Sequence, residues 1–96
     1  MEDLLTRTKA KAKLPRLYSV VLLNDDFTPA DFVARLLVEM FAKTTEEAIS
    51  LAMEVHRKGR GIAGTYTRDI AETKVSRAVD AARAAGHPLL LDMQEG

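Results

Sequence analysis

The sequence predicts an α+β fold in which a three-stranded antiparallel sheet is covered on one face by three helices, in the order β-α-α-β-α-β. Three observations predict it. Four consecutive apolar residues, Val20 to Leu23, are typical of a strand buried on both faces. Three longer segments have apolar residues at helical spacing. Glycines and a proline isolate two further short apolar runs as strands. The 96 residues suffice for one small domain with a single core.

The composition excludes several classes of function. Lys plus Arg and Asp plus Glu number 14 each, so the net charge gives no reason to expect a nucleic-acid partner. The chain lacks cysteine, which removes disulfides, thiol nucleophiles and thiolate metal sites. Its apolar runs are far shorter than the roughly 20 residues that span a bilayer, so no membrane partner is expected. The acidic N-terminus is not typical of a secretory signal. We therefore expect a cytoplasmic protein.

Residues 1–16 are predicted to be a flexible basic N-terminal extension, and residues 17–96 a folded core domain. The basic residues of the extension alternate with small or polar ones; they are Arg7, Lys9, Lys11, Lys13 and Arg16. Such an arm is most often solvated.

The first helix is predicted to begin with Thr28 as its N-cap and Pro29 at its first helical position, with Asp31 near its positive end. It ends near Phe41. Its apolar stripe consists of Phe32, Val33, Leu36, Leu37, Met40 and Phe41.

The second helix is predicted from a capping box formed by Thr44 and Glu47. Gly59 is its expected C-terminal stop. Its apolar face consists of Ala48, Leu51, Ala52 and Val55. Residues 61–66, GIAGTY, then form a short strand between helix breakers.

Thr67 is predicted to cap the third helix, which Gly86 ends and Pro88 prevents from continuing. Its apolar side is expected to contain Ile70, Ala71, Val75, Ala78, Val79 and Ala82. Leu89 to Leu91 form the last predicted strand.

Catalytic patterns are absent from the sequence. The serines do not occur in a G-x-S-x-G elbow, and GRGIAG lacks the lysine of a phosphate-binding loop. His56 and His87 lack zinc-ligand spacing. His87 precedes Pro88 at a helix exit, where a capping or linker role is expected. The sequence therefore predicts no enzyme, no metal and no cofactor.

Asn24, Asp25 and Asp26 follow directly after the predicted core strand. Ordinary turn chemistry explains them, and a lone helical histidine such as His56 is usually a surface residue. A second interpretation is a binding site. A carboxylate, a carboxamide oxygen and a neutral imidazole nitrogen together accept the three N–H donors of a primary ammonium. Asn24, Asp26 and His56 supply this set.

Four segments resemble the ClpS family of bacterial N-degron adaptors: VVLLNDDFTPADFV, EEAISLAMEVHRKGRGIAG, YTRDIAETKV and HPLL. They occur in the order and at the spacing of the family, from about Leu17 to Met93. The resemblance implies an adaptor that binds substrate proteins beginning with Phe, Tyr, Trp or Leu. It implies delivery of these substrates to the AAA+ unfoldase ClpA for degradation by ClpP, with no catalysis by the adaptor.

The resemblance also implies roles for individual residues. Asn24, Asp26 and His56 match positions that hold the α-amino group, with Asp25 beside them. The side-chain pocket would be formed by Leu22, Thr28, Ala30, Val33, Ala52, Val55 and Leu89. Asp69 and Lys74 match positions that dock the ClpA N-terminal domain, and the basic extension matches the segment required for delivery.

Two positions depart from the pattern of the family. Ala30, at the pocket rim, and Ala52, in the pocket, stand where methionine is usual. We expect a wider pocket that keeps Phe, Tyr and Trp as ligands and binds Leu less well. A milder departure is Asp69, where glutamate is common.

A different class of function stays open at this point. The C-terminal domain of the ribosomal stalk protein has a similar order of strands and helices, so a non-catalytic interaction scaffold is the alternative. An aminopeptidase would need a metal or nucleophile that the sequence lacks. We expect a monomer in either case.

Overall fold

The computed structural model describes residues 14–96. The elements are β1 (Leu17–Leu23), α1 (Ala30–Phe41), α2 (Thr45–Lys58), β2 (Arg60–Thr67), α3 (Arg68–Ala84) and β3 (Leu90–Glu95). The predicted order is confirmed. Residues 1–13 of the predicted extension lie outside the described part. Within residues 14–96, no helix is both long and apolar enough to cross a membrane.

The sheet is antiparallel, with β1 between β2 and β3. The last residue of β1, Leu23, pairs with Arg60 on one side and with Leu90 on the other. The residues that follow β1 therefore meet the residues that precede β2 and β3 at a single edge of the sheet.

The core lies between one face of this sheet and the three helices. β1 contributes Val20 and Leu22 to it, both fully buried. The helices add mainly Val33, Leu36, Leu37, Phe41, Ala48, Ala52, Val55, Ala71, Ala78 and Ala82. The predicted layering, with helices on one face, is thus confirmed.

Val21 is fully buried although its side chain points to the face without helices. Its neighbours on that face explain the burial. Arg60 on β2 donates a hydrogen bond to Gln94 on β3 over 2.8 Å, and in the strand register these residues flank Val21 diagonally. Ile62 and Asp92 lie directly opposite Val21 on the neighbouring strands, and its zero exposure confirms the prediction of a strand buried on both faces.

The predicted start of the first helix is wrong by one residue. Pro29, with extended backbone angles, occupies the N-cap position, and no side chain caps the helix. The Thr28 side chain is directed to the preceding turn, where its hydroxyl donates to Asp25 Oδ2 over 2.7 Å. A local turn thus competes successfully for the capping group.

The second helix agrees with its prediction at both ends. Thr44 Oγ1 accepts a hydrogen bond from the Glu47 N–H at 3.1 Å, and Glu47 Oε1 accepts one from the Thr44 N–H at 2.9 Å. Gly59 ends the helix with φ +89°, a left-handed conformation that glycine adopts without strain.

Two predictions for the C-terminal third are wrong. Ile70 is 50% exposed, because the buried positions Ala71, Ala78 and Ala82 define a narrow stripe and Ile70 lies beside it. The last strand begins at Leu90, not Leu89, and continues to Glu95. Polar residues belong to this strand because it is an edge strand with one face in water.

Candidate functional site

The candidate site lies at the edge where β1 ends. The Asn24 N–H donates to the carbonyl of Gly59 over 3.0 Å. Gly59 is the C-cap of α2, and His56 lies in the last turn of the same helix. One backbone hydrogen bond therefore brings the end of β1 next to His56, across more than thirty residues of sequence. Asn24 and His56 are both exposed.

Asp25 organises the turn that follows. Its Oδ1 accepts the N–H groups of Phe27 and Thr28, each at 2.8 Å, and its Oδ2 accepts the Thr28 hydroxyl at 2.7 Å. Both carboxylate oxygens are thus used within the turn. Asp25 is therefore a turn residue, which is one of the two interpretations that the sequence left open.

The environment of Asp25 favours its ionised form. Partial burial by itself raises the pKa of the carboxyl, but the hydrogen bonds from Thr28 and Phe27 and the nearby charge of His87 outweigh it. The net result is a pKa below the ordinary value. Asp25 therefore holds the turn as a carboxylate throughout the neutral range.

Asp26 has a different environment. Its side chain is exposed, and no hydrogen bond joins its carboxylate to another side chain of residues 14–96. The carboxylate is available for a cation from solution. Asn24 and His56 are the other two residues that the sequence predicts to accept an ammonium group.

The apolar residues predicted to form the side-chain pocket are buried. Leu22, Val33, Ala52, Val55 and Leu89 belong to one buried cluster, with exposures between 0% and 6%. Val55 precedes His56 in the chain, and Ala52 lies one turn earlier on α2. Of the other predicted pocket residues, Thr28 is half-buried and Ala30, the first residue of α1, is exposed. The five buried residues therefore belong to the core, and two of them, Ala52 and Val55, lie within one helical turn of His56.

Asp69 and Lys74 line a separate groove of about 570 Å³ between α1 and α3, together with Glu39, Met40, Ile70, Thr73 and Arg77. Asp69 is exposed. Lys74 Nζ instead donates to the carbonyl of Met40 over 2.6 Å. Lys74 thus caps the C-terminal turn of α1 and shapes the groove from within.

Two aromatic rings lie close to the Lys74 ammonium group. Lys74 Nζ lies 5.9 Å from the Phe41 ring centroid and 5.6 Å from that of Tyr66, within the range of cation–π attraction. The Tyr66 ring occupies the space beside Gly64, where a Cβ atom would collide with it.

Two residues near the site were not singled out from the sequence for binding. Phe27 is 78% exposed. The His87 ring packs edge-on against Phe32, with centroids 4.7 Å apart. The sequence signal for Phe27 is an aromatic residue directly after Asn24, Asp25 and Asp26, within one of the four segments that resemble the family.

Comparison with known proteins gives consistent findings. The family model described as ATP-dependent Clp protease adaptor protein ClpS matches residues 13–92. The ATP-dependent Clp protease adapter protein ClpS of Burkholderia mallei (strain SAVP1) is 53% identical over 93 residues, 97% of this chain and 89% of the relative. That of Burkholderia thailandensis is 54% identical over 91 residues, 95% and 88% of the two chains.

A solved structure is similar as well. Agrobacterium tumefaciens ClpS2 bound to L-phenylalaninamide has a TM-score of 0.83 and 38% sequence identity. The match covers 86% of this chain and 100% of the other.

Proposed function

This chain belongs to the ClpS family of ATP-dependent Clp protease adaptors, and we propose that Asn24, Asp26 and His56 hold the α-amino group of its substrates. The protein is an adaptor that binds the free, bulky apolar N-terminal residue of a substrate protein. It delivers that substrate to the ClpA unfoldase for degradation by ClpP.

The main support for assigning these three residues to the amino group is the hydrogen bond between the Asn24 N–H and the Gly59 carbonyl. Because of it, a carboxamide, a free carboxylate and an imidazole lie at one edge of the sheet. Each hydrogen bond to a charged group contributes about 1.5–3 kcal/mol. An ammonium held by three of them offsets much of the association cost of about 4–15 kcal/mol.

The first side chain of the substrate enters among Leu22, Val33, Ala52, Val55 and Leu89. Burial of a large apolar side chain contributes roughly another 1.5–3 kcal/mol. Thr28 and Ala30 form the rim. Asp25 serves the site indirectly, because the turn that it holds fixes the backbone of Asp26.

The proposed partner is the ClpA N-terminal domain. The ClpA N-terminal domain docks at the groove between α1 and α3, where Asp69 offers an exposed charge and Lys74 maintains the shape. The N-terminal extension, residues 1–16, serves delivery. The adaptor acts as a non-catalytic monomer in the cytoplasm.

The test is fluorescence anisotropy with two labelled peptides that differ only at the N-terminus, one with free and one with acetylated Phe. Acetylation removes the charge and two of the three N–H donors, at a cost of about 1–3 kcal/mol for each polar group left unpaired. We expect binding of the free peptide alone. Equal binding of both peptides, or of neither, would exclude the amine site.

A further inference from the structure

Leu89 differs from the other buried residues of the proposed side-chain pocket in how its backbone is held. Leu22 lies in β1, Val33 in α1, and Ala52 and Val55 in α2, so the regular hydrogen bonds of these elements fix their backbones. Leu89 lies in the segment that joins α3 to β3. It is nevertheless 1% exposed and part of the core. The position of this pocket residue therefore depends on what holds the connecting segment.

The end of α3 fixes the first part of the segment. Gly86 adopts a left-handed conformation with φ +80°, and its N–H donates to the Arg83 carbonyl over 3.0 Å. The His87 N–H donates to the Ala82 carbonyl over 2.8 Å. These two hydrogen bonds form a Schellman motif, which satisfies the last carbonyls of a helix. The motif ends at His87, and the next residue, Pro88, has no N–H to donate.

The Arg83 side chain holds the rest of the segment. Its Nη1 donates to the His87 carbonyl over 2.9 Å and, in a longer and weaker contact, to the Leu89 carbonyl over 3.4 Å. Arg83 is exposed, and Asp80 lies one turn earlier on α3, but neither ion pair of residues 14–96 involves these two residues. The guanidinium therefore joins the end of the Schellman motif to the pocket residue, and no carboxylate competes for it.

The His87 side chain adds a contact with a neighbouring helix. Its ring packs edge-on against Phe32 of α1, with centroids 4.7 Å apart. Phe32 directly precedes Val33, another residue of the proposed pocket. The segment that Arg83 holds therefore also rests on α1, and a displacement of the segment would change the position of Leu89 relative to Val33.

We propose that Arg83 is a positioning residue for substrate selection. By holding the carbonyls of His87 and Leu89, it sets the place of the Leu89 side chain and thereby the width of the pocket for the first residue of the substrate. In this role Arg83 acts through Leu89 and does not itself contact that first residue. The inference rests on the proposed function, because Leu89 meets a substrate only if the side-chain pocket lies where we propose.

The experiment measures the anisotropy of peptides that begin with Phe and with Leu, using the unchanged protein, Arg83→Met and Arg83→Lys. Methionine keeps an apolar stem without a donor, whereas a lysine ammonium keeps the charge and donors for the carbonyls. We expect Arg83→Met to weaken the Phe peptide roughly 2- to 10-fold, the range of one lost hydrogen bond. The Leu peptide should be weakened less, because a wall that is no longer fixed distinguishes less between the two side chains. Arg83→Lys should keep most of the affinity and of the Phe-to-Leu ratio.

Arg35→Met is the matched control. Arg35 is an exposed arginine of α1 and belongs to neither ion pair of residues 14–96. The substitution removes the same charge from the surface and preserves helix propensity. It should leave both affinities unchanged.

Thermal unfolding of the same samples separates positioning from stability. A lower unfolding midpoint in Arg83→Met, with both affinities reduced by the same factor, would mean a purely structural role and would overturn the proposal. Unchanged affinities in Arg83→Met, or the same change of the Phe-to-Leu ratio in Arg35→Met, would overturn it as well. Failure of the proposed function is seen separately, in the unchanged protein, as equal binding or no binding of the free and the acetylated Phe peptide.

Discussion

At the scale of single residues, a substitution of His56 should change peptide affinity without changing the stability of the fold. Its side chain is exposed at the end of α2, so His56→Ala should leave the thermal unfolding midpoint nearly unchanged. Loss of one hydrogen bond to a charged group should weaken binding of a Phe-initiated peptide about 10- to 100-fold. Anisotropy and thermal unfolding of the same sample measure both. Unchanged affinity in the variant would remove His56 from the site.

Asp25 makes the stability of the protein depend on pH. Because the pKa of its carboxyl is lower in the folded protein, Asp25 stabilises the fold above the ordinary pKa of 3.8. That contribution is lost as the pH falls through the lowered pKa. We expect Asp25→Asn to be less stable at pH 7 and to lose less stability on acidification.

The measurement is thermal unfolding from neutral pH to about pH 2, below the ordinary carboxyl range. Asp26→Asn is the matched control, since the Asp26 carboxylate makes no side-chain hydrogen bond within residues 14–96. It should retain the acid dependence of the parent protein and lose peptide affinity. Identical acid profiles for Asp25→Asn and the parent would contradict the assignment of Asp25 to the turn.

At the scale of elements, two threonines in equivalent positions differ in their contacts. Thr44 caps α2 through its hydroxyl, whereas Thr67 occupies the N-cap position of α3 without a side-chain cap. Thr44→Ala should lower the free energy of unfolding by about 1 kcal/mol, and Thr67→Ala by less. Chemical denaturation of the two variants measures the difference. Equal losses would mean that the capping box does not stabilise α2.

Elements were predictable from the sequence where local chemistry decides them. Both ends of α2 follow from Thr44, Glu47 and Gly59. The start of α1 did not follow, because Asp25 competes for the side chain of Thr28. The full length of β3 was missed although Leu91 and Met93 alternate with Asp92 and Gln94 and pack against the core, because only the pairing with β1 shows that the strand continues to Glu95.

At the scale of the whole molecule, pocket width should set which first residues are bound. Ala30 and Ala52 offer small side chains from α1 and α2. A Phe-initiated peptide should therefore bind more tightly than a Leu-initiated one, because leucine fills less of the space. Ala52→Met should reduce the difference in affinity between the Phe-initiated and the Leu-initiated peptide. Equal affinities of the two peptides in the unchanged protein would contradict this prediction.

At this scale, sequence patterns alone do not predict how the residues of the candidate site lie relative to one another. The choice of Asn24, Asp26 and His56 followed from hydrogen-bonding chemistry and from a family resemblance. Their proposed approach to one another depends on the strand register and on the hydrogen bond from Asn24 to Gly59, which join parts of the chain that are far apart in sequence.

The crowding between Gly64 and Tyr66 has an evolutionary consequence. The tyrosine ring lies beside the glycine and next to the Lys74 ammonium that caps α1. A side chain at position 64 would displace the ring and disturb a groove that Gly64 does not itself line. Among relatives, the two positions should therefore change together, with a residue larger than glycine at 64 only where the residue at 66 is small.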